Sequence, residues 1–132
     1  MLDKFSVKTG GRFDMIDITS QLRAKLREMN AGDGLCCVYV SHTTAGVTIN
    51  ENADPAVPQD ILAGLDKIAP LRANYKHMEG NSAAHIKSSI VGASATLILD
   101  GGNPVLGTWQ SVFFCEFDGP RTRNVYVKYI KG

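Results

Sequence analysis

The sequence predicts an α+β fold: an antiparallel or mixed β-sandwich-like core with two or three helices packed on it. Two observations lead to this class. Helical patterns fall in the first two thirds of the chain, whereas the last third has the composition of strands and turns. That grouping favours α+β over the alternating pattern of a parallel βαβ sheet. With 132 residues, 44% of them hydrophobic, residues 1–132 are predicted to form a single domain around one core.

The elements of the first half follow from hydrophobic periodicity. Lys4–Thr9 alternates apolar and polar residues, which is typical of a strand. The next residues lead towards a helix over Thr19–Met29, where leucines recur at helical spacing. Leu35–Ser41 is a continuous β-rich run that predicts a buried strand, and Val47–Asn50 is predicted to continue the sheet. Pro55–Ala69 carries one apolar stripe and predicts a second helix.

The second half of the chain contains a loop, a short helix and three strands. These are predicted over Leu71–Asn81, Ser82–Ile90, Thr96–Leu99, Thr108–Phe117 and Asn124–Ile130. The turn residues Asp118–Gly119–Pro120 lie between the last two strands and predict that they form a hairpin. The C-terminal third is therefore expected to be an antiparallel meander.

Composition and charge exclude several classes of protein. The 14 basic and 13 acidic residues leave a formal charge of +1, far from the basic surplus of a duplex-binding protein, so no nucleic-acid partner is expected. No apolar run approaches the roughly 20 residues that span a bilayer, and the N-terminus has no apolar stretch of signal-peptide length. The three cysteines form no CxxC pair, which predicts reduced, mostly buried thiols in a cytoplasmic protein.

The chain has three histidines, His42, His77 and His85, each in polar sequence beside or between regular elements. Neutral imidazole is the commonest metal ligand, and three protein ligands with one open position are typical of catalytic zinc. The spacing matches no local zinc motif, so only the fold can bring His42 to the other two. From spacing alone, unrelated surface or hydrogen-bonding histidines are the simpler interpretation.

Two further groups of polar residues are candidates for a binding site. Asn50, Glu51 and Asn52 end an apolar strand, where carboxamides and a carboxylate suit ligand binding or support of a histidine. Asn81–Ser82 precedes a helix whose free N–H groups are suited to phosphate or carboxylate. Lys87 and Arg121 are candidate counter-charges, although solvated lysines on exposed helix faces are common.

Taken together, four segments resemble the YjbQ-type family, also called the secondary thiamine-phosphate synthase family. They are SHTTAGVTINENADP, HMEGNSAAHIKSSIVG, GTWQSVFFCEFDGPR and the closing VYVKYI, and they occur in the family's order over almost the whole chain. The resemblance implies a compact, β-sandwich-like α+β fold that assembles as a homotrimer. It also implies a metal-compatible cluster of histidines in a pocket near a subunit boundary.

The family's motifs can be placed on this sequence position by position. They fall on His42–Ala45, Asn50–Pro55, His77–Ser89, Gly107–Gln110 and Glu116–Arg121. One position departs from the pattern: some members carry a cysteine where this chain has Ala53. A nucleophilic thiol at that place is therefore excluded.

The resemblance implies roles for these residues. His42, His77 and His85 are expected to hold a divalent metal, zinc for preference. Glu51, Glu79 and Asn50 are expected to act in catalysis. The expected contacts to a small anionic or phosphorylated substrate are Thr43, Thr44, Asn81, Ser82, Lys87 and Arg121. The family name points to joining a pyrimidine pyrophosphate to a thiazole phosphate. Two alternatives stay open: a metal-dependent hydrolase, and a non-enzymatic trimer that binds a small anion or metabolite.

Overall fold

The computed structural model describes all 132 residues and contains three helices and eight strands. The helices are α1 (Thr19–Glu28), α2 (Ala56–Ile68) and α3 (Ser82–Val91). The strands are β1 (Leu2–Lys8), β2 (Asp14–Asp17), β3 (Gly34–Val40), β4 (Ala45–Glu51), β5 (Ser94–Asp100), β6 (Asn103–Pro104), β7 (Gln110–Glu116) and β8 (Thr122–Lys131). None of the helices combines the length and the hydropathy needed to cross a bilayer.

The strands form two antiparallel sheets, which confirms the predicted α+β class. The larger sheet has the order β1-β8-β3-β5-β6, and the smaller has the order β2-β7-β4. The main core lies between the sheets, and α1 adds Leu22 and Leu26 to it. It is closed by the inward residues Val38, Val40, Val47, Leu97, Val112, Phe114, Val125 and Val127. Strands β3 and β8 alternate between buried and more exposed residues because the other face of their sheet is open to solvent.

The smaller sheet is covered on both faces. Val112 and Phe114 of β7 point into the main core, whereas Phe113 and Cys115 point the other way. The second cluster packs against Leu65 of α2 and Ala84 of α3. This two-sided burial explains why β7 is a continuous apolar run rather than an alternating one.

The predicted C-terminal hairpin and meander are wrong. Strands β7 and β8 follow each other in sequence but lie in different sheets: β7 pairs with β2 and β4, and β8 pairs with β1 and β3. Because β7 is central in its sheet, both of its edges are already occupied. The Asp118–Gly119–Pro120 turn therefore forms a corner between the sheets. Strand β2 was also not predicted, since its four residues at a sheet edge were assigned to the approach to α1.

Close backbone packing fixes α3 on β4. The Val47 N–H donates to the Gly92 carbonyl oxygen at 3.1 Å, where α3 ends. A Cβ atom at Gly46 would lie only 2.7 Å from that same oxygen, so a side chain at this position would push the helix end away from the strand. The contact anchors the helix that carries His85.

The three cysteines are free thiols, as predicted from their spacing. Cys36 and Cys115 are buried, and burial raises the pKa of each thiol to about 12. Neither is a thiolate nucleophile near neutral pH.

Candidate functional site

All three histidines line a single polar cavity of about 470 Å³. It opens where the β3–β4 connection, the loop before α3, the start of α3 and the β7–β8 corner meet. We call it the histidine cavity, and it is lined by Ser41, His42, Thr43, Thr44, His77, Glu79, Asn81, His85, Asp118, Arg121 and Arg123. No lining residue is hydrophobic. The fold therefore brings together three imidazoles that are separated by up to 43 positions in the sequence.

His42 is held by the backbone of β8. Its Nε2 accepts a hydrogen bond from the Asn124 N–H at 2.9 Å. Burial, followed by the positive charge of Arg123, lowers the pKa of His42 from the ordinary 6.5, although Glu116 acts in the opposite direction. The ring is therefore neutral at pH 7. Because Asn124 occupies the Nε2 lone pair, the ring proton lies on Nδ1, which becomes a hydrogen-bond donor.

His77 and His85 lie side by side at the loop and helix side of the cavity. Their ring centroids are 5.4 Å apart and their planes are almost perpendicular, at 88°. His85 is in the first turn of α3, and His77 comes from the loop before it. Glu79 Oε2 lies 3.8 Å from His77 Nε2. An imidazole and a carboxylate can each take up or release a proton, so this pair is suited to general acid–base chemistry.

A buried ion pair between Glu116 and Arg123 lies at the wall of the histidine cavity. Glu116 is fully buried, and Arg123 is 4% exposed. Glu116 Oε1 accepts from Arg123 Nε at 2.9 Å and from the Thr9 hydroxyl at 2.7 Å. Its Oε2 accepts from Arg123 Nη2 and from the Asp118 N–H. Burial alone would raise the pKa of Glu116, but the Arg123 hydrogen bond and its neighbours outweigh burial and leave the pKa below 4.5.

One nitrogen of the buried guanidinium remains free. Arg123 Nε and Nη2 are occupied by Glu116, and Nη2 also donates to the Thr44 hydroxyl at 2.9 Å. Nη1 makes no hydrogen bond within the chain, yet it is not among the buried polar atoms that lack a partner. Nη1 therefore has accessible surface, and Arg123 is one of the residues that line the histidine cavity. A charged donor fixed in this way is suited to an anion.

Asp118 contacts Arg121, which lines the histidine cavity, and approaches Arg12, which does not. Its Oδ2 accepts from Arg121 Nη2 at 2.9 Å and from Asn81 Nδ2 at 3.1 Å. Its Oδ1 lies 3.9 Å from Arg12 Nη1. Asn81 Oδ1 is buried without any hydrogen-bond partner, so the start of α3 carries one unsatisfied acceptor.

Several of the residues predicted from sequence lie elsewhere. Asn50 and Glu51 end β4, whereas the cavity lies at the start of β4; seven extended residues span about 23 Å. The Asn50 side chain accepts from the Glu51 N–H at 2.7 Å. Ser82 lines a neighbouring cavity together with His77 and His85.

Lys87 does not line the histidine cavity. Its side chain is buried, with Nζ 3.2 Å from Asp66 Oδ1 and 3.9 Å from the centre of the Phe13 ring. These contacts tie α3 to α2. Of the expected substrate contacts, those that line the cavity are Thr43, Thr44, Asn81 and Arg121.

The His, Cys, Asp and Glu side chains of the structure are not arranged to coordinate a metal ion. No group of three or more His, Cys, Asp or Glu side chains is placed so that it could hold one. In addition, the Asn124 N–H uses the Nε2 lone pair of His42, so ligation through that atom requires breaking the hydrogen bond. The side chains as arranged in a single chain do not form a three-histidine zinc site.

Arg123 and Asp118 were missed as site residues by sequence reasoning. A signal for Arg123 was present: it occupies an inward position of an alternating strand, two residues before the buried Val125. A charged residue at such a position needs a buried partner, which Glu116 supplies. Asp118 was assigned to the predicted turn and to a family motif but was given no role in the site, so its contacts to Arg121 and Asn81 were not anticipated.

The comparisons with known proteins agree with this fold. The chain belongs to the YjbQ-like UPF0047 family, whose model matches residues 3–132. It is similar to UPF0047 protein MJ1081 of Methanocaldococcus jannaschii, with 53% identity over 98% of this chain and 94% of the relative. It is also similar to UPF0047 protein YugU of Bacillus subtilis, with 52% identity over 97% of this chain and 98% of the relative.

Solved structures of relatives have the same fold. A YjbQ/UPF0047 family protein from Clostridium acetobutylicum superposes with a TM-score of 0.94 at 51% identity, covering 97% of this chain and 99% of that one. A hypothetical protein, APE1520, from Aeropyrum pernix superposes with a TM-score of 0.95 at 36% identity, covering 100% and 99%.

Proposed function

We propose that this protein binds a small phosphorylated metabolite in the histidine cavity and acts on it as an enzyme. The observation that carries the proposal is the lining of that cavity: three imidazoles, two guanidiniums and no hydrophobic residue. Each lining guanidinium is paired with a carboxylate, Arg121 with Asp118 and Arg123 with Glu116, so the cavity offers fixed hydrogen-bond donors rather than excess positive charge. Asp118 is occupied by Arg121 and Asn81, whereas Arg123 Nη1 and the Nδ1–H of His42 keep donors free for phosphate oxygens.

The proposed chemistry uses proton transfer beside a bound phosphate. Glu79 and His77 are close enough to move a proton to or from a substrate group in the cavity. The most specific version of the proposal follows the family name: a pyrimidine pyrophosphate and a thiazole phosphate would be joined, with pyrophosphate as the leaving group. Glu51 and Asn50 reach such a substrate only if a second subunit contributes them.

Phosphate binding is the first test. Isothermal titration calorimetry with inorganic phosphate and pyrophosphate is run on the wild type, on His42→Gln and on Arg27→Ala, an exposed control on α1. We expect the His42 variant to bind at least tenfold more weakly and the control to match the wild type. No binding by the wild type, or equal binding by all three, contradicts the proposal. Formation of thiamine phosphate from both substrates then tests the specific reaction.

A metal-dependent hydrolase is the second candidate. It is supported by the position of all three histidines on one cavity. Zinc ligation there would require these side chains to turn and His42 Nε2 to leave the Asn124 N–H. Zinc titration followed by hydrolysis assays on phosphate esters tests it, with His85→Gln as the variant. The candidate predicts stoichiometric zinc uptake that His85→Gln abolishes, and turnover that a chelator removes. Uptake that is equal in both proteins contradicts it.

Phosphate binding without turnover of any substrate leaves the third alternative, a non-enzymatic anion-binding protein.

We propose in addition that the chain forms a homotrimer, as the resemblance implies. The outer face of the larger sheet supports assembly, because Leu35 is flanked by Ile98 on one side and Ile130 on the other, all three exposed. Sedimentation is expected to give three times the 14.3 kDa of one chain. A monomer at micromolar concentration contradicts this expectation.

A further inference from the structure

A second cavity of the same size adjoins the histidine cavity. Its volume is about 470 Å³, and it is lined by Arg12, Leu71, Arg72, Ala73, Tyr75, His77, Glu79 and Gly80. We call it the arginine cavity. His77 and Glu79 line both cavities, so they form the boundary between them. A molecule that extends past His77 would enter the second cavity from the first.

The guanidiniums of the arginine cavity are largely uncommitted. Arg72 has no carboxylate within 4.0 Å. Arg12 approaches only Asp118, at 3.9 Å, which is too long for a hydrogen bond. The one carboxylate in the lining, Glu79, is close to His77 instead. Two free guanidiniums in one concave site are suited to a carboxylate or a phosphate.

The loop that forms this cavity has internal support. The Tyr75 hydroxyl donates to the Pro70 carbonyl oxygen, and the Tyr75 N–H donates to the Ala73 carbonyl oxygen at 2.9 Å. Leu71 and Tyr75 are half-buried. The loop therefore supplies an ordered wall opposite Arg12.

We propose that the arginine cavity is a second anion subsite, and that the substrate class is a small molecule with an anionic group at each end. One group would be a phosphate held in the histidine cavity, and the other a phosphate or carboxylate held by Arg12 and Arg72. His77 and Glu79 then lie beside the part of the molecule that joins the two groups. This inference rests on the phosphate site of the proposed function. It differs from the thiamine-phosphate version of that function, whose two substrates are each anionic at one end only.

The experiment compares ligands that differ by one anionic group. Three series of ligands with spacers of increasing length are titrated calorimetrically into the full chain: alkyl monophosphates, alkane-α,ω-bisphosphates and alkyl monophosphates with a carboxylate at the far end. A spacer that reaches both cavities is expected to tighten binding on the order of tenfold over its monophosphate. Arg12→Gln and Arg72→Gln should each reduce that gain. Arg72→Gln, which has no contact with Asp118, should also leave monophosphate binding unchanged, and Arg27→Gln on α1 serves as the control.

The outcomes separate this inference from the proposed function. If no spacer improves on the monophosphate, or if the gain survives both arginine variants, the second subsite is refuted, although His42-dependent phosphate binding still stands. If no phosphate compound binds at all, the proposed function itself fails. If a carboxylate at the far end gives the same gain as the phosphate, the second subsite is supported as one that accepts either group.

Discussion

Replacing Glu116 by Gln isolates the charge of the buried ion pair beneath the histidine cavity. The side chains are nearly equal in size, so no cavity is created. Gln keeps an oxygen that can accept from Thr9 and Arg123 Nε. Its amide nitrogen, however, replaces the oxygen that accepts from Arg123 Nη2 and the Asp118 N–H, which sets donors against donors.

The replacement of one oxygen by an amide nitrogen is expected to lower the free energy of unfolding by several kcal/mol, on the order of the cost of breaking a buried ion pair. Arg123 is 4% exposed and would keep its charge without a counter-ion. Breaking a buried pair by removing one partner costs about 3–5 kcal/mol, out of the roughly 5–15 kcal/mol that hold a typical domain together. Because an isolated charge is the cause, replacing both partners by Met should cost less than Glu116→Gln alone.

Urea unfolding followed by circular dichroism gives the measurement. At pH 7 the Glu116→Gln midpoint should fall by more than about 1 M urea. The pKa of Glu116 is lowered in the folded state, so its contribution is fully present above pH 4.5 and is lost as the pH falls through the folded value. The gap between wild type and variant should therefore narrow in acid. The reasoning is refuted if the free energy of unfolding of Glu116→Gln at pH 7 lies within about 1 kcal/mol of the wild-type value. It is also refuted if the variant with Met at both positions is less stable than Glu116→Gln.

Three further predictions concern other parts of the molecule. The pKa of His42 is lowered on folding, so the stability it contributes is complete above pH 6.5 and declines as the pH falls towards the folded value; His42→Gln should remove this decline in pH-dependent unfolding curves. Lys87→Met should leave phosphate affinity unchanged in calorimetry and alter stability by no more than about 1 kcal/mol, because Asp66 is exposed enough to remain solvated. Gly46→Ala should destabilise by about 1–3 kcal/mol in urea unfolding, whereas Gly64→Ala, with open space at its Cβ position, should be neutral or stabilising.

The elements of the fold could be predicted because their signals are local. Leucine spacing placed α1, and the β-rich run before His42 placed β3 to within a residue at each end. Sheet membership is not a local property. The turn between β7 and β8 has hairpin chemistry, but β7 pairs with β2 along one edge and with β4 along the other, so β8 joins the larger sheet instead. Only the packing of distant elements decides that.

The sequence predicted the part of the candidate site that lies in local motifs, but not the part that depends on packing between distant elements. The histidines share motifs with the family, and the fold brings His42, His77 and His85 to one cavity. Lys87 has the sequence context of a phosphate ligand, yet its position on α3 turns it towards Asp66. The alternation of β8 marks Arg123 as an inward residue. Its pairing with Glu116, however, depends on two strands from different sheets meeting at a corner, which no sequence spacing encodes.

The central claim is that three imidazoles face one anion-binding cavity, and side-chain NMR tests it most directly. The chain contains only three histidines, so long-range ¹H–¹⁵N spectra give three ring systems to follow. On addition of inorganic phosphate, all three rings should shift along one binding curve. The neutral His42 ring should show its proton on Nδ1. Rings that do not respond, or that respond with unrelated affinities, would contradict the account.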